Sequence, residues 1–96
     1  MPQSKPDFRT VTVDLPAPFE GWQATLKAEG ISARILIELQ SGDEGRAMTA
    51  TKSLVVKNNF LTADGEPATD VLDAPMEALG AMLKAWTEAV TALPPR

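Results

Sequence analysis

The side chains of this 96-residue chain that could carry out chemistry are its carboxylates. The chain has thirteen Asp and Glu but no His and no Cys, so it lacks the commonest metal ligand, any thiolate and the best proton-transfer group at neutral pH. Acidic pairs occur at Asp43-Glu44 and at Asp70 with Asp73, beside predicted helix starts where negative charge is favourable. We therefore interpret these carboxylates as helix caps and expect no enzyme activity, no metal site and no cofactor.

The segment Asp64-Gly65-Glu66 could suggest a calcium loop. The other oxygen ligands of an EF-hand loop do not follow at the required spacing, however. Asp-Gly is also a favoured two-residue hairpin turn, and Pro67 would suit a short edge strand because proline has no N–H to donate. We therefore predict a small hairpin over residues 60–68, anchored to the core by Phe60.

Length and composition indicate one soluble globular domain. The chain is 44% hydrophobic and 23% charged, with a formal net charge of −4 and no cluster of Lys or Arg that could neutralise phosphates. We expect no nucleic-acid binding and, because no apolar run has the length of a membrane helix, no membrane partner. The predicted organisation is a flexible lead-in over 1–7, a single domain over 8–93 and a tail over 94–96, in a cytoplasmic protein.

Two alternating segments predict an N-terminal β-hairpin. Val11, Val13 and Leu15 alternate with polar residues, and a second alternation runs from Trp22 to Lys27. The proline-rich loop between them carries Phe19. Phe19 and Trp22 could contact a partner or could cap the protein's own core, and both interpretations stay open here.

Three segments predict helices. Residues 31–39 have apolar side chains at helical spacing, with Ile31, Ile35 and Leu39 in the buried stripe and Leu36 beside them. The pattern Ser41-Gly42-Asp43-Glu44 has the form of a capping box, from which we expect a helix that continues to Lys57-Asn58. The last and longest helix, over 76–93, is capped by Asp70 or Asp73, and its core-facing seam consists of Met76, Leu79, Leu83, Trp86, Val90 and Leu93, widened by Met82.

Together these elements predict an α+β fold. It contains the N-terminal β-hairpin, the small second hairpin and about three helices around one core, the last being a long C-terminal amphipathic helix. The large apolar side chains that we expect to be exposed for partner binding are Phe19, Trp22, Phe60 and Met82.

Four short motifs follow one another in an informative order. The first motif is VTVDLP at 11–16, followed by FEGW at 19–22, and the second is the helix start SGD at 41–43. The third is NNF at 58–60, followed by DGEP at 64–67. The fourth is a terminal helix that contains AWTEAV at 85–90 and ends in LPP at 93–95. In these motifs the chain resembles the small tail assembly chaperones of long-tailed bacteriophages and prophages, especially those of actinobacterial hosts. It departs from that family at Asn58, where the resemblance leads us to expect tryptophan.

The resemblance implies a non-enzymatic chaperone made in the infected bacterial cell. It would bind the tape-measure protein, assist polymerisation of the tail-tube protein around it, and be absent from the mature virion. Two alternatives stay open: a small structural virion protein, such as a tail-completion or head-tail connector subunit that self-associates in a ring, and an unrelated acidic protein-binding module.

Overall fold

The computed structural model describes residues 7–94 and has the predicted α+β architecture. Residues 1–6 of the predicted lead-in and residues 95–96 of the predicted tail lie outside the described residues. The elements, in chain order, are β1 (Thr10–Asp14), β2 (Gln23–Lys27), α1 (Ala33–Leu39), α2 (Glu44–Leu54), β3 (Val55–Asn58), a 3₁₀ turn (Val71–Asp73) and α3 (Met76–Ala92). The three strands form one antiparallel sheet in the order β1-β2-β3.

The predicted N-terminal hairpin is confirmed. Strands β1 and β2 pair antiparallel with Thr12 opposite Thr25, and the alternation places Val11 and Val13 on the buried face. On β2, Ala24 and Leu26 join them there. The opposite face carries a polar ladder in which the Thr12 and Thr25 hydroxyls lie 2.9 Å apart.

The third strand corrects a prediction. We expected the second helix to continue to Lys57-Asn58, but α2 ends at Leu54 and Val55–Asn58 is a strand paired with β2. Val55 and Val56 are β-branched and so favour extended backbone, and pairing with β2 outweighs the helical spacing that leads up to them. The register shifts by one residue between Thr25 and Leu26, so Val56 is the extra residue of a β-bulge.

The first two helices differ from their predictions in detail. Helix α1 forms as predicted, and Ile31, Ile35 and Leu39 pack on the core, yet none of its own residues is fully buried and Leu36 is exposed. The predicted capping box at Ser41 is wrong. Asp43 caps α2 by accepting a hydrogen bond from Arg46 N–H, whereas the Ser41 hydroxyl donates to the carbonyl of Glu38 at the end of α1.

The small hairpin over residues 60–68 forms as one isolated bridge, between Leu61 and Pro67, instead of a pair of regular strands, and its turn also differs from the prediction. Ala68 N–H donates to the Phe60 carbonyl and Thr62 N–H donates to that of Glu66. These bonds enclose a loop of three residues, 63–65, instead of the predicted two-residue Asp64-Gly65 turn. Within the loop, Gly65 N–H donates to the Thr62 carbonyl, and Gly65 has φ +87°. A type I turn followed by a left-handed glycine needs positive φ at one residue only, so Asp64 stays in ordinary backbone.

Helix α3 forms over nearly the predicted range, and its core-facing side contains part of the predicted seam together with a row of alanines. Its buried side chains are Ala78, Leu79 and Met82, while Met76 is 66% exposed and Leu83 and Trp86 are half-buried. The alanines at 81, 85 and 89 contact the core beside them. Because α3 packs on β1 of a small sheet, its short alanine side chains allow close approach. Of the predicted seam, Leu79 and Met82 are buried beside them, whereas Met76 is not.

The predicted capping of α3 by Asp70 or Asp73 is also wrong. Asp70 caps the 3₁₀ turn by accepting from Leu72 N–H, and Pro75 stands before α3 without a side-chain cap. Proline suits this place since the first helical N–H groups lack partners inside the helix.

Candidate functional site

Three aromatic side chains form a continuous row at the end of the β1–β2 hairpin. The ring centroids of Phe19 and Trp22 lie 4.9 Å apart, and those of Trp22 and Phe60 lie 5.5 Å apart, both pairs in tilted orientations. These separations are typical of attractive aromatic contacts. We call Phe19, Trp22 and Phe60 the aromatic corner. It joins three of the four residues that the sequence singled out for partner binding.

Asn59 fixes the two segments of the aromatic corner to each other. Its side-chain oxygen accepts from Gln23 N–H at 2.7 Å, and its side-chain nitrogen donates to the Gly21 carbonyl at 3.0 Å. Its backbone N–H donates to the Gln23 carbonyl, which extends the β2–β3 pairing by one residue. A single amide thus uses both its donor and its acceptor to hold the hairpin loop against the chain that enters Phe60.

Asn58 prepares the turn into Phe60. Its side-chain oxygen accepts from Phe60 N–H at 3.0 Å, an Asx turn that redirects the chain out of β3. This local bond requires a short amide or carboxylate. It provides a physical role for asparagine at the position where the resembled family leads us to expect tryptophan.

The loop that presents Phe19 and Trp22 is closed by backbone hydrogen bonds. Leu15 N–H donates to the Trp22 carbonyl, and inside this closure Phe19 N–H donates to Pro16 and Trp22 N–H donates to Phe19. Gly21 has φ +85°, a conformation that residues with a Cβ rarely adopt. The loop is therefore ordered by its own backbone, and the two aromatic side chains leave it on the same side, toward Phe60.

The four predicted binding residues differ in exposure. Phe19 and Trp22 are half-buried, but Phe60 is 1% exposed and Met82 is fully buried. The expectation that Phe60 and Met82 are exposed is therefore wrong. Phe60 becomes the inner end of the aromatic corner and anchors the small hairpin to the core, as predicted, and Met82 lies in the core-facing seam of α3 that it was predicted to widen.

Sequence reasoning missed most of the exposed apolar side chains. The large hydrophobic residues with the greatest exposure are Ile37, Met76, Val56, Phe8 and Leu36. The exposure of Ile37 could have been predicted from the sequence, because Ile37 lies outside the helical stripe formed by Ile31, Ile35 and Leu39. The exposure of Val56 could not have been predicted from the sequence, because it follows from a β-bulge that only the pairing with β2 creates.

The charged side chains are the other groups to consider as a site. Within residues 7–94, no three carboxylates approach closely enough to hold a metal ion, and none of the helices there is long and apolar enough to cross a membrane. One surface ion pair changes the pKa of both its members. The hydrogen bond from Lys52 Nζ to Asp70 Oδ2 at 2.7 Å lowers the pKa of Asp70, helped by Leu72 N–H, and raises the pKa of Lys52.

Comparison of the chain with protein-family models, with curated proteins and with solved structures found no match.

Proposed function

We propose that this protein is a bacteriophage tail assembly chaperone that binds the tape-measure protein and assists tail-tube polymerisation. It would act in the cytoplasm of the infected bacterial host, without catalysis, and leave before the virion is complete. The proposal comes from the resemblance of the ordered motifs to that family.

One structural observation supports treating the motifs as a unit. The motif around 11–22 and the motif around 58–60 are separated by more than thirty residues, yet Asn59 bonds to Gly21 and Gln23, and Phe60 contacts Trp22. Residues that depend on one another in this way must be present together for the corner to form. This mutual dependence gives their joint occurrence in the chain a physical reason.

The half-buried aromatic side chains favour an apolar mode of binding. Phe19 and Trp22 offer rigid rings, which bury much area for little loss of conformational entropy, and such residues often dominate binding energy. A tape-measure protein is long, helical and apolar along one face, so covering that face prevents aggregation. The sequence has no cluster of Lys or Arg that would make charge the main attraction.

Co-expression with the tape-measure protein tests the proposal. We expect the tape-measure protein to stay soluble and to be retained with this protein on an affinity column. Raising salt from about 0.1 M to about 0.5 M, which shortens the Debye length well below 10 Å, should weaken the complex little because the contact is apolar. A tape-measure protein that stays insoluble and is not retained would contradict the proposed function.

A matched pair of variants tests the aromatic corner. Phe19→Ser removes the ring at one end of the row and leaves the Trp22–Phe60 contact in place, whereas Met76→Ser removes a more exposed apolar side chain on α3. We expect loss of retention for Phe19→Ser alone, with both variants folded by circular dichroism. Equal retention of the two variants would mean that the tape-measure protein binds somewhere other than the aromatic corner, and the proposed function would still stand. Stoichiometric presence in purified particles, with no affinity for the tape-measure protein, would favour the structural virion subunit.

A further inference from the structure

Strand β1 has a hydrogen-bonding edge with no partner among the described residues. Leu15 N–H donates to the Trp22 carbonyl and Ala28 N–H donates to the Arg9 carbonyl, so the backbone groups of the odd-numbered residues of this segment point toward β2. In an antiparallel pair, the backbone N–H and C=O groups of successive residues point alternately toward the paired strand and away from it. The N–H and C=O groups of Thr10, Thr12 and Asp14 therefore point away from the sheet.

The other edge of the sheet is protected in ways that β1 is not. Strand β3 has four residues, contains the bulge at Val56 and carries Lys57, and residues 69–71 flank it across a cleft that also contains Val55 and Asn58. Bulges, short strands and lysine are the usual devices against edge-to-edge pairing. Strand β1 has five regularly paired residues with no bulge, no proline and no lysine. Its edge is open to pairing.

We propose that β1 pairs with β1 of a second copy of this chain, antiparallel and centred on Thr12. Such a contact is related by a two-fold axis and closes as a dimer, in which two three-stranded sheets become one continuous sheet. This interface does not depend on the proposed function.

In the register centred on Thr12, the sequence of β1 is suited to pairing with β1 of a second copy. It places Thr10 of each copy opposite Asp14 of the other and the two Thr12 residues opposite each other, so the two Asp14 carboxylates do not meet. Cross-strand threonine pairs are favourable, and like charges directly opposite are not. The sequence of β1 is thus compatible with its own reversed copy.

A proline substitution tests the backbone pairing. Thr12→Pro removes an outward N–H and places a ring atom where the second strand must approach, and Thr12→Ala is the matched control. Both variants lose the Thr12–Thr25 hydroxyl contact, but only the alanine variant keeps the N–H. By light scattering at about 0.1 mM, we expect wild type and Thr12→Ala at twice the chain mass of 10.3 kDa and at least about tenfold weaker association of Thr12→Pro. A monomeric wild type, or equal association of the two variants, would overturn the proposal.

A charge pair keeps the test decisive if Thr12→Pro does not fold. Thr12→Lys alone and Thr12→Glu alone each place like charges opposite each other at the two-fold axis and should be monomeric. Mixed in equal amounts they should form a heterodimer, and added salt should weaken it. Dimerisation of either variant alone as strongly as wild type, or no dimer in the mixture, would exclude the Thr12-centred register.

Discussion

Individual asparagines connect local backbone geometry to the candidate site. Asn59 forms two side-chain bonds between segments distant in sequence, whereas Asn58 forms one local bond to Phe60 N–H. At about 0.5–1.5 kcal/mol for each net hydrogen bond, Asn59→Ala should cost about 1–3 kcal/mol of unfolding free energy and Asn58→Ala about half as much. Urea denaturation followed by circular dichroism measures both. Equal costs would mean that Asn59 does not join the two segments.

The Lys52–Asp70 pair predicts where stability depends on pH. The pKa of Asp70 is lowered from 3.8 in the folded chain, so its contribution is present above that value and is lost as pH falls through the folded pKa. The pKa of Lys52 is raised from 10.5, so its contribution is present below that value and is lost as pH rises through the folded pKa. Asp70→Asn should flatten both losses, while its side-chain oxygen can still cap Leu72 N–H.

The measurement for Asp70 is the unfolding free energy as a function of pH, with Asp70→Ala as the comparison. The alanine variant loses the cap together with the ion pair, so it should be the less stable of the two at neutral pH. Parallel pH profiles of wild type and Asp70→Asn below pH 3.8 and above pH 10.5 would show that the pair contributes nothing measurable.

At the scale of elements, the sequence predicted what depends on local pattern. Strands β1 and β2 and the extent of α3 follow from alternation, helical spacing and flanking prolines. Strand β3 could not be predicted in this way, because Met48, Thr51, Leu54 and Val55 continue a helical spacing and only the distant pairing with β2 makes the segment extended. The aromatic corner is likewise made by contacts between distant segments. The sequence therefore indicated its three residues but not that their side chains contact one another.

The face that α3 buries predicts how substitutions along it differ. Met82 is fully buried and Met76 is 66% exposed on the same helix, which makes them a matched pair. Met82→Ala should destabilise the fold by about 2–5 kcal/mol through lost burial and a cavity. Met76→Ala should stay within about 0.5 kcal/mol of wild type. Thermal and urea unfolding would compare them, and similar effects of the two changes would mean that Met76 also packs on the core, as the heptad pattern predicted.

At the scale of the whole molecule, one hydrophobic cluster links elements from both ends of the chain. It contains Val13 of β1, Leu26 of β2, Leu54 of α2 and Met82 of α3. Across the surface, the Arg9 guanidinium donates to Glu29 and to the Pro94 carbonyl, each at 2.9 Å, which ties the start of β1 to the end of α3. We therefore expect residues 7–94 to unfold as one cooperative unit.

The two tryptophans test that cooperativity because they report on different places in a chain without tyrosine. Trp22 lies in the aromatic corner, and Trp86 on α3 donates from its indole to the Lys27 carbonyl at 2.9 Å. In Trp86→Phe only the corner fluoresces, and in Trp22→Phe only α3 does. Within each variant, the urea midpoint by fluorescence should equal the midpoint by far-ultraviolet circular dichroism. If the corner lost its signal at lower urea than the helices lost theirs, the hairpin and its aromatic row would be a separately opening unit, and Asn59 rather than the shared core would govern its stability.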